Sequence, residues 1–205
     1  TALTTGDENV AVGYNALATE DTGVGNVAVG RNALTALNFN GNGYNTAVGY
    51  AAGTALTTGV QNTLIGGLAG DALTDADYNV AMGYNALSAD TLGSRNIAVG
   101  VSALANQNFT SATNSYNTAV GHGAGSQVTT GYNNTLIGGL AGDAITTGNS
   151  NTTLGVSALS TNTTGTGNTA VGANTAAYTT TGNYNAVLGT FALNRNTTGT
   201  SNTAV

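Results

Sequence analysis

The chain has 205 residues; only 6% are charged, 31 are Gly, and none is Cys, Pro or Trp. Three basic residues, Arg31, Arg95 and Arg195, against nine acidic ones exclude a nucleic-acid interface, which requires clustered positive charge. The lack of Cys excludes disulfides and thiolate metal sites, and no apolar run is long enough to cross a membrane as a helix.

Taken in chain order, variants of Asn-Thr-Ala-Val-Gly begin at Asn9, Asn26, Asn45, Asn62, Asn79, Asn96, Asn117, Asn134, Asn151, Asn168, Asn185 and Asn202. Nine of the eleven intervals are 17 residues; Asn26 to Asn45 is 19 and Asn96 to Asn117 is 21. A fixed period this short predicts stacked coils, with residues 1–205 forming a single array and no internal domain boundary. Because the chain opens and stops inside a unit, it is expected to be a segment of a longer fibre. The four units from Asn45 recur from Asn117 with a constant offset of 72, as a duplicated block.

Each unit is numbered here from its Asn as position 1. Positions 2 to 4 are β-compatible and lie between Asn and Gly, which predicts a short strand. Position 4 is always aliphatic or Met, from Val12 to Val205, and is expected to fill the interior. Position 3, small in most units, then takes the opposite face and is expected to seat a partner chain. A second short segment follows, as in residues 101–104, and predicts a second strand. Its Leu is replaced by Gly at Gly53, Gly70, Gly125 and Gly142. In those units Leu56, Leu73, Val128 and Ile145 appear three positions later, which suggests one core site filled from two backbone positions. A Thr- and Gly-rich turn closes the unit, with Gly or Asn three residues before the next Asn, where left-handed backbone is expected. Ala76 stands there instead and predicts a turn of different shape. The expected fold is all-β: a parallel β-roll of ~17-residue rungs with two short strands each, on the order of 50 Å long at ~4.8 Å per rung.

A 17-residue coil encloses few side chains, too few to offset chain entropy without a partner. The Gly-Gly-x-Gly-x-Asp calcium pattern is absent. The unit Asn-Thr-Ala-Val-Gly-x-x-Ala-Leu…Thr-Thr-Gly resembles the head repeats of YadA-like trimeric autotransporter adhesins. It is still more similar to the longer, Asn- and Thr-rich version found in bacteriophage tail-fibre proteins. The resemblance implies a left-handed parallel β-roll in which three identical chains form a homotrimer. It also implies a non-enzymatic, extracellular role in attachment, on a virion or on a bacterial surface. The departures are a longer period and Asn-Thr in place of Asn-Ser.

Candidate contact residues lie where the repeat varies. Position 6, just after the Gly, carries Tyr14, Arg31, Tyr50, Tyr84 and His122 among others, and such variation marks an exposed column. Tyr14, Tyr50 and Tyr84 suit contact with a cell-surface glycan or protein receptor, or else shield sheet edges. The two oversized turns each carry a Phe, Phe39 and Phe109, either as receptor contacts or as lids folded back on the roll. His122, the only His, points to no metal site, and no cofactor motif is found. Asp71, Asp75 and Asp77, or Asp7 with Glu8, read as solvated acids. Ser and Thr lack a base beyond that one His, so no catalysis is expected. An ice-binding solenoid would need an unbroken Thr array; Thr occupies position 2 in seven units, but Val10, Val27, Val80 and Ile97 interrupt it.

Overall fold

The computed structural model describes residues 5–205. The chain winds as a β-solenoid of about eleven turns, one per unit. The strands are β1 (Val10–Val12), β2 (Val27–Val29), β3 (Thr46–Val48), β4 (Thr63–Ile65), β5 (Val80–Met82), β6 (Gly93–Ser94) and β7 (Ile97–Val99). They continue with β8 (Thr113–Asn114), β9 (Thr118–Val120), β10 (Thr135–Ile137), β11 (Thr152–Leu154), β12 (Thr169–Val171), β13 (Ala186–Leu188) and β14 (Thr203–Ala204). All but β6 and β8 form one twelve-stranded parallel sheet, in register from Val10 beside Val27 to Ala186 beside Thr203.

Each rung holds one strand of this sheet, not two. The second segment is a pair of tight turns, closed by Ala33 N–H to Gly30 O and Leu37 N–H to Leu34 O. Left-handed residues at positions 7 and 9, such as Asn32 (φ 60) and Leu34 (φ 48), break any extended run. These turns still bond from rung to rung, with Leu34 N–H donating to Ala52 O and Asn32 N–H to Tyr14 O.

The sheet faces the opposite way from the sequence expectation. Position 3 is interior: Ala28, Ala47, Leu64, Ala81, Ala98, Ala119, Leu136 and Ala170 are all fully buried. Position 4 faces outward, with Val12, Val48, Met82, Leu154 and Leu188 exposed, so position 3 cannot seat a partner chain. The reason is width. The Ala column of position 8, from Ala16 to Ala158, stands buried in the same core as position 3. Two facing backbones this close leave room for Ala and little more. The exceptions prove spatial: a Cβ added at Gly53 would lie 2.7 Å from Leu64 Cδ1, and one at Gly125 would lie 2.6 Å from Leu136 Cδ1. Gly at position 9 therefore makes room for the two Leu at position 3.

Position 12 is a second interior column whether or not position 9 keeps its Leu. It runs Glu20, Leu37, Leu56, Leu73, Asp90, Gln107, Val128, Ile145, Asn162 and Thr179, all fully buried. Leu56, Leu73, Val128 and Ile145 thus fill the core as expected, though from a column of their own.

Position 1 is more than turn punctuation. The Asn side chains form a buried ladder along the solenoid. Asn62 N–H and Nδ2 both donate to Asn45 Oδ1, at 3.0 and 3.1 Å, and Asn62 Nδ2 also donates to Ala76 O at 2.8 Å. The same three bonds recur at Asn134, Asn151, Asn168 and Asn185. Because Ala76 O takes the bond that Gly59 O takes from Asn45, the turn at Ala76 keeps the common hydrogen bond. Left-handed backbone falls instead on the residue just before each Asn, as at Gln61 (φ 57) and Tyr78 (φ 60).

Candidate interaction surface

No pocket is found among the described residues, and what they present is an outer surface. Three features stand on it: the outward strand face, two rows of tyrosines at its margins, and the two long turns.

The strand face presents positions 2 and 4 of twelve strands in register. Neither column holds a charge. Position 4 is Val, Ile, Leu or Met throughout, and position 2 is Thr, Val, Ile or once Ala186. Position 4 thus forms an unbroken aliphatic column along the sheet, exposed at Val12, Val48, Met82, Leu154 and Leu188, beside a position-2 column that is Thr in seven units.

Position 6 is outward as expected, with Tyr14, Arg31, Tyr50, Tyr84 and His122 exposed. Arg31 lies between two rings, its guanidinium carbon 5.9 Å from the centroids of both Tyr14 and Tyr50. A second row, not anticipated from the sequence, occupies the residue before the Asn: Tyr44, Tyr78, Tyr116 and, four rungs further on, Tyr184. Its Arg95 stacks on Tyr78 at 4.5 Å. The signal was present as tyrosines two rungs apart, but the turn in which they sit hid them.

The long turns behave differently from the rows. Phe109 is only 7% exposed, and Phe39 is half-buried against the core cluster. Both follow the lid geometry, so Phe109 does not offer its ring to a receptor. The cause lies in the preceding rung. Buried Glu20 accepts from the Phe39 amide (3.2 Å) as well as from Gly23 N–H (2.7 Å) and Thr22 N–H (3.2 Å). Buried Asp90 accepts from the Phe109 amide (3.0 Å), Gly93 N–H (3.1 Å) and Gln107 Nε2 (2.6 Å). Gln107 Oε1 in turn accepts from Asn117 Nδ2 at 2.8 Å, which ties the long turn to the Asn ladder. Each oversized turn is therefore clamped by a carboxylate one rung earlier. Sequence reading missed both acids, which show only when position 12 is aligned through all rungs. Replacing Asp90 with Ala strands three donors, and the expected loss is about 2–4 kcal/mol. A lowered urea midpoint with fast exchange of the Phe109 amide is the expected result.

Among the described residues no group of three His, Cys, Asp or Glu is arranged to hold a metal. Asp75 accepts from Thr58 Oγ1 and Asp77 from Val60 N–H, as ordinary turn contacts. Burial pushes the Asp71 and Asp143 carboxyls above the usual range, against an opposing backbone hydrogen bond, and Oδ1 of each is unpartnered. Their ionisation opposes folding, so any contribution they make weakens as pH rises through the raised values. Comparison of the chain with protein-family models, with curated proteins and with solved structures finds no match. The class that the fold defines is a repeat β-solenoid.

Proposed function

We propose that this chain is a rigid segment of a homotrimeric attachment fibre, of the kind that phage tail fibres build, acting at the outside of a virion. The head of a bacterial trimeric adhesin is the neighbouring alternative, with the same assembly and the same extracellular setting. We also read it as non-enzymatic. The observation that carries this reading is the uncharged strand face with its unbroken aliphatic column at position 4, which a solenoid standing alone would leave in water. The partner chains sit on positions 2 and 4. Small interior side chains support the same conclusion, because a core of Ala, Leu and Asn needs additional burial to offset chain entropy.

Val48 and Met82 are exposed on this face in the single chain, so charging them disturbs assembly without disturbing the rung. The double variant Val48→Glu with Met82→Glu is expected to fall to the single-chain mass in light scattering while its β circular dichroism persists. An unchanged mass would place the partner elsewhere.

One further class draws on the same surface. Thr46, Thr63, Thr118, Thr135, Thr152, Thr169 and Thr203 occupy position 2 of the outward face, in register, as an ice-binding solenoid requires. The row is broken by Val10, Val27, Val80, Ile97 and Ala186. Thermal hysteresis is therefore expected to be absent, and its presence would favour ice over a partner chain.

A further inference from the structure

Seven of the nine tyrosines fall in the two rows; six of them stand two rungs apart within their row, and Tyr184 lies four rungs beyond Tyr116. Tyr14, Tyr50 and Tyr84 belong to the units of Asn9, Asn45 and Asn79; Tyr44, Tyr78 and Tyr116 precede Asn45, Asn79 and Asn117. Their exposure runs from 41% at Tyr78 to 68% at Tyr14. Two rungs amount to roughly 10 Å along the solenoid, close to the length of two sugar units in an extended glycan.

The residues between the tyrosines shape the rows. A Cβ added at Gly25 would lie 2.6 Å from Tyr44 Cδ1, so that ring rests on the bare backbone of the preceding rung. Tyr84 leans in the same way towards Gly67, where an added Cβ would be 3.5 Å from its Cδ2. A ring laid on backbone offers its other face to solvent. Where the intervening residue is Arg, as at Arg31 and Arg95, the guanidinium stacks on the rings and extends the platform. One cation per row on a chain of net charge −6 argues against a polyanion.

We propose that these rows are the receptor-contact surface, and that they take an extended, uncharged, β-linked polysaccharide with every second sugar stacked on a tyrosine. The C–H groups on one side of a β-linked pyranose meet the electron-rich face of the ring. A sugar polymer that coils cannot keep that two-rung spacing. The inference rests on the attachment reading and specifies its ligand.

The chain has no Trp, so its intrinsic fluorescence is that of tyrosine. The intact protein is titrated with cellohexaose, and with maltohexaose as the coiling α-linked counterpart. It is also run through native gels containing hydroxyethylcellulose. Expected are a saturable fluorescence change with cellohexaose, at least tenfold weaker with maltohexaose, and retardation in the gel. Tyr50→Leu with Tyr84→Leu should weaken binding at least tenfold at unchanged oligomeric mass, whereas Tyr50→Phe with Tyr84→Phe should retain it. Equal binding of both hexaoses, or full binding by the Leu pair, overturns the proposal. So does a fall in mass for the Leu pair, because the rows would then be part of the chain–chain contact. A protein of three-chain mass that ignores cellohexaose overturns the glycan inference alone, whereas a single-chain mass strikes the fibre reading instead.

Discussion

Gly138→Ala is expected to disrupt the solenoid, whereas Gly139→Ala, one residue on, should be silent. Gly138 sits at position 5 with φ +132, a region that residues with a Cβ avoid. A Cβ there would collide with the carbonyl oxygen of Gly155 in the next rung and lie 2.6 Å from its carbonyl carbon. Neither atom can yield, since both belong to the stacked backbone. Gly139 has no such φ, and a Cβ at that position meets nothing within 4 Å. Backbone strain and overpacking together should cost Gly138→Ala about 3–5 kcal/mol, a large part of a typical domain's stability. Urea unfolding of the two variants beside the parent checks this. Similar midpoints for Gly138→Ala and Gly139→Ala would mean that the stacking at position 5 is looser than the structure shows.

Asn134→Ala should be comparably damaging, for a different reason. Asn134 Nδ2 donates to Asn117 Oδ1 (3.2 Å) and Gly148 O (2.9 Å), while its Oδ1 accepts from Asn151 N–H (3.0 Å) and Asn151 Nδ2 (3.2 Å). The site is fully buried, so water cannot replace the lost partners. Stranding these groups costs about 3–6 kcal/mol, because each unmade buried bond exacts its desolvation in full. Rungs in a solenoid are coupled mainly to their neighbours. Amide exchange should therefore rise first in the units of Asn117, Asn134 and Asn151, with distant units protected. Uniform exchange along the chain, or no change in midpoint, would contradict a structural role for the ladder.

Much of the architecture was legible because period and strand pattern are backbone properties. The invariant Gly at position 5 takes a positive φ, and nearly all copies stand against the backbone of the next rung, where a Cβ would not fit. The direction of the sheet was not legible. Alternation fixes which residues share a face, not which face is inside. Val and Ala are both apolar, and assigning the larger to the core ignored how near the opposite Ala column stands. Leu64 and Leu136, each opposed by a pair of Gly, carried the missing information. The Asn ladder was hidden behind a residue that also favours turns. Its constancy was the clue, since a turn position accepts Gly or Asp over twelve repeats and this one accepts neither.

At the surface, column variation pointed correctly to exposure at Tyr14, Tyr50 and Tyr84. It could not separate these from Phe39 and Phe109, which lie in variable loops yet turn inward. Their inward path depends on Glu20 and Asp90, nineteen residues upstream in each case. Such a contact crosses rungs, so it has no local signature.

The most direct measurement of the central claim is the mass of the intact protein by size-exclusion chromatography with light scattering, followed down a concentration series. Coverage of the uncharged strand face by identical chains predicts a single species of three 20.0 kDa copies that resists dilution. A well-folded, monodisperse single copy at all concentrations would contradict it.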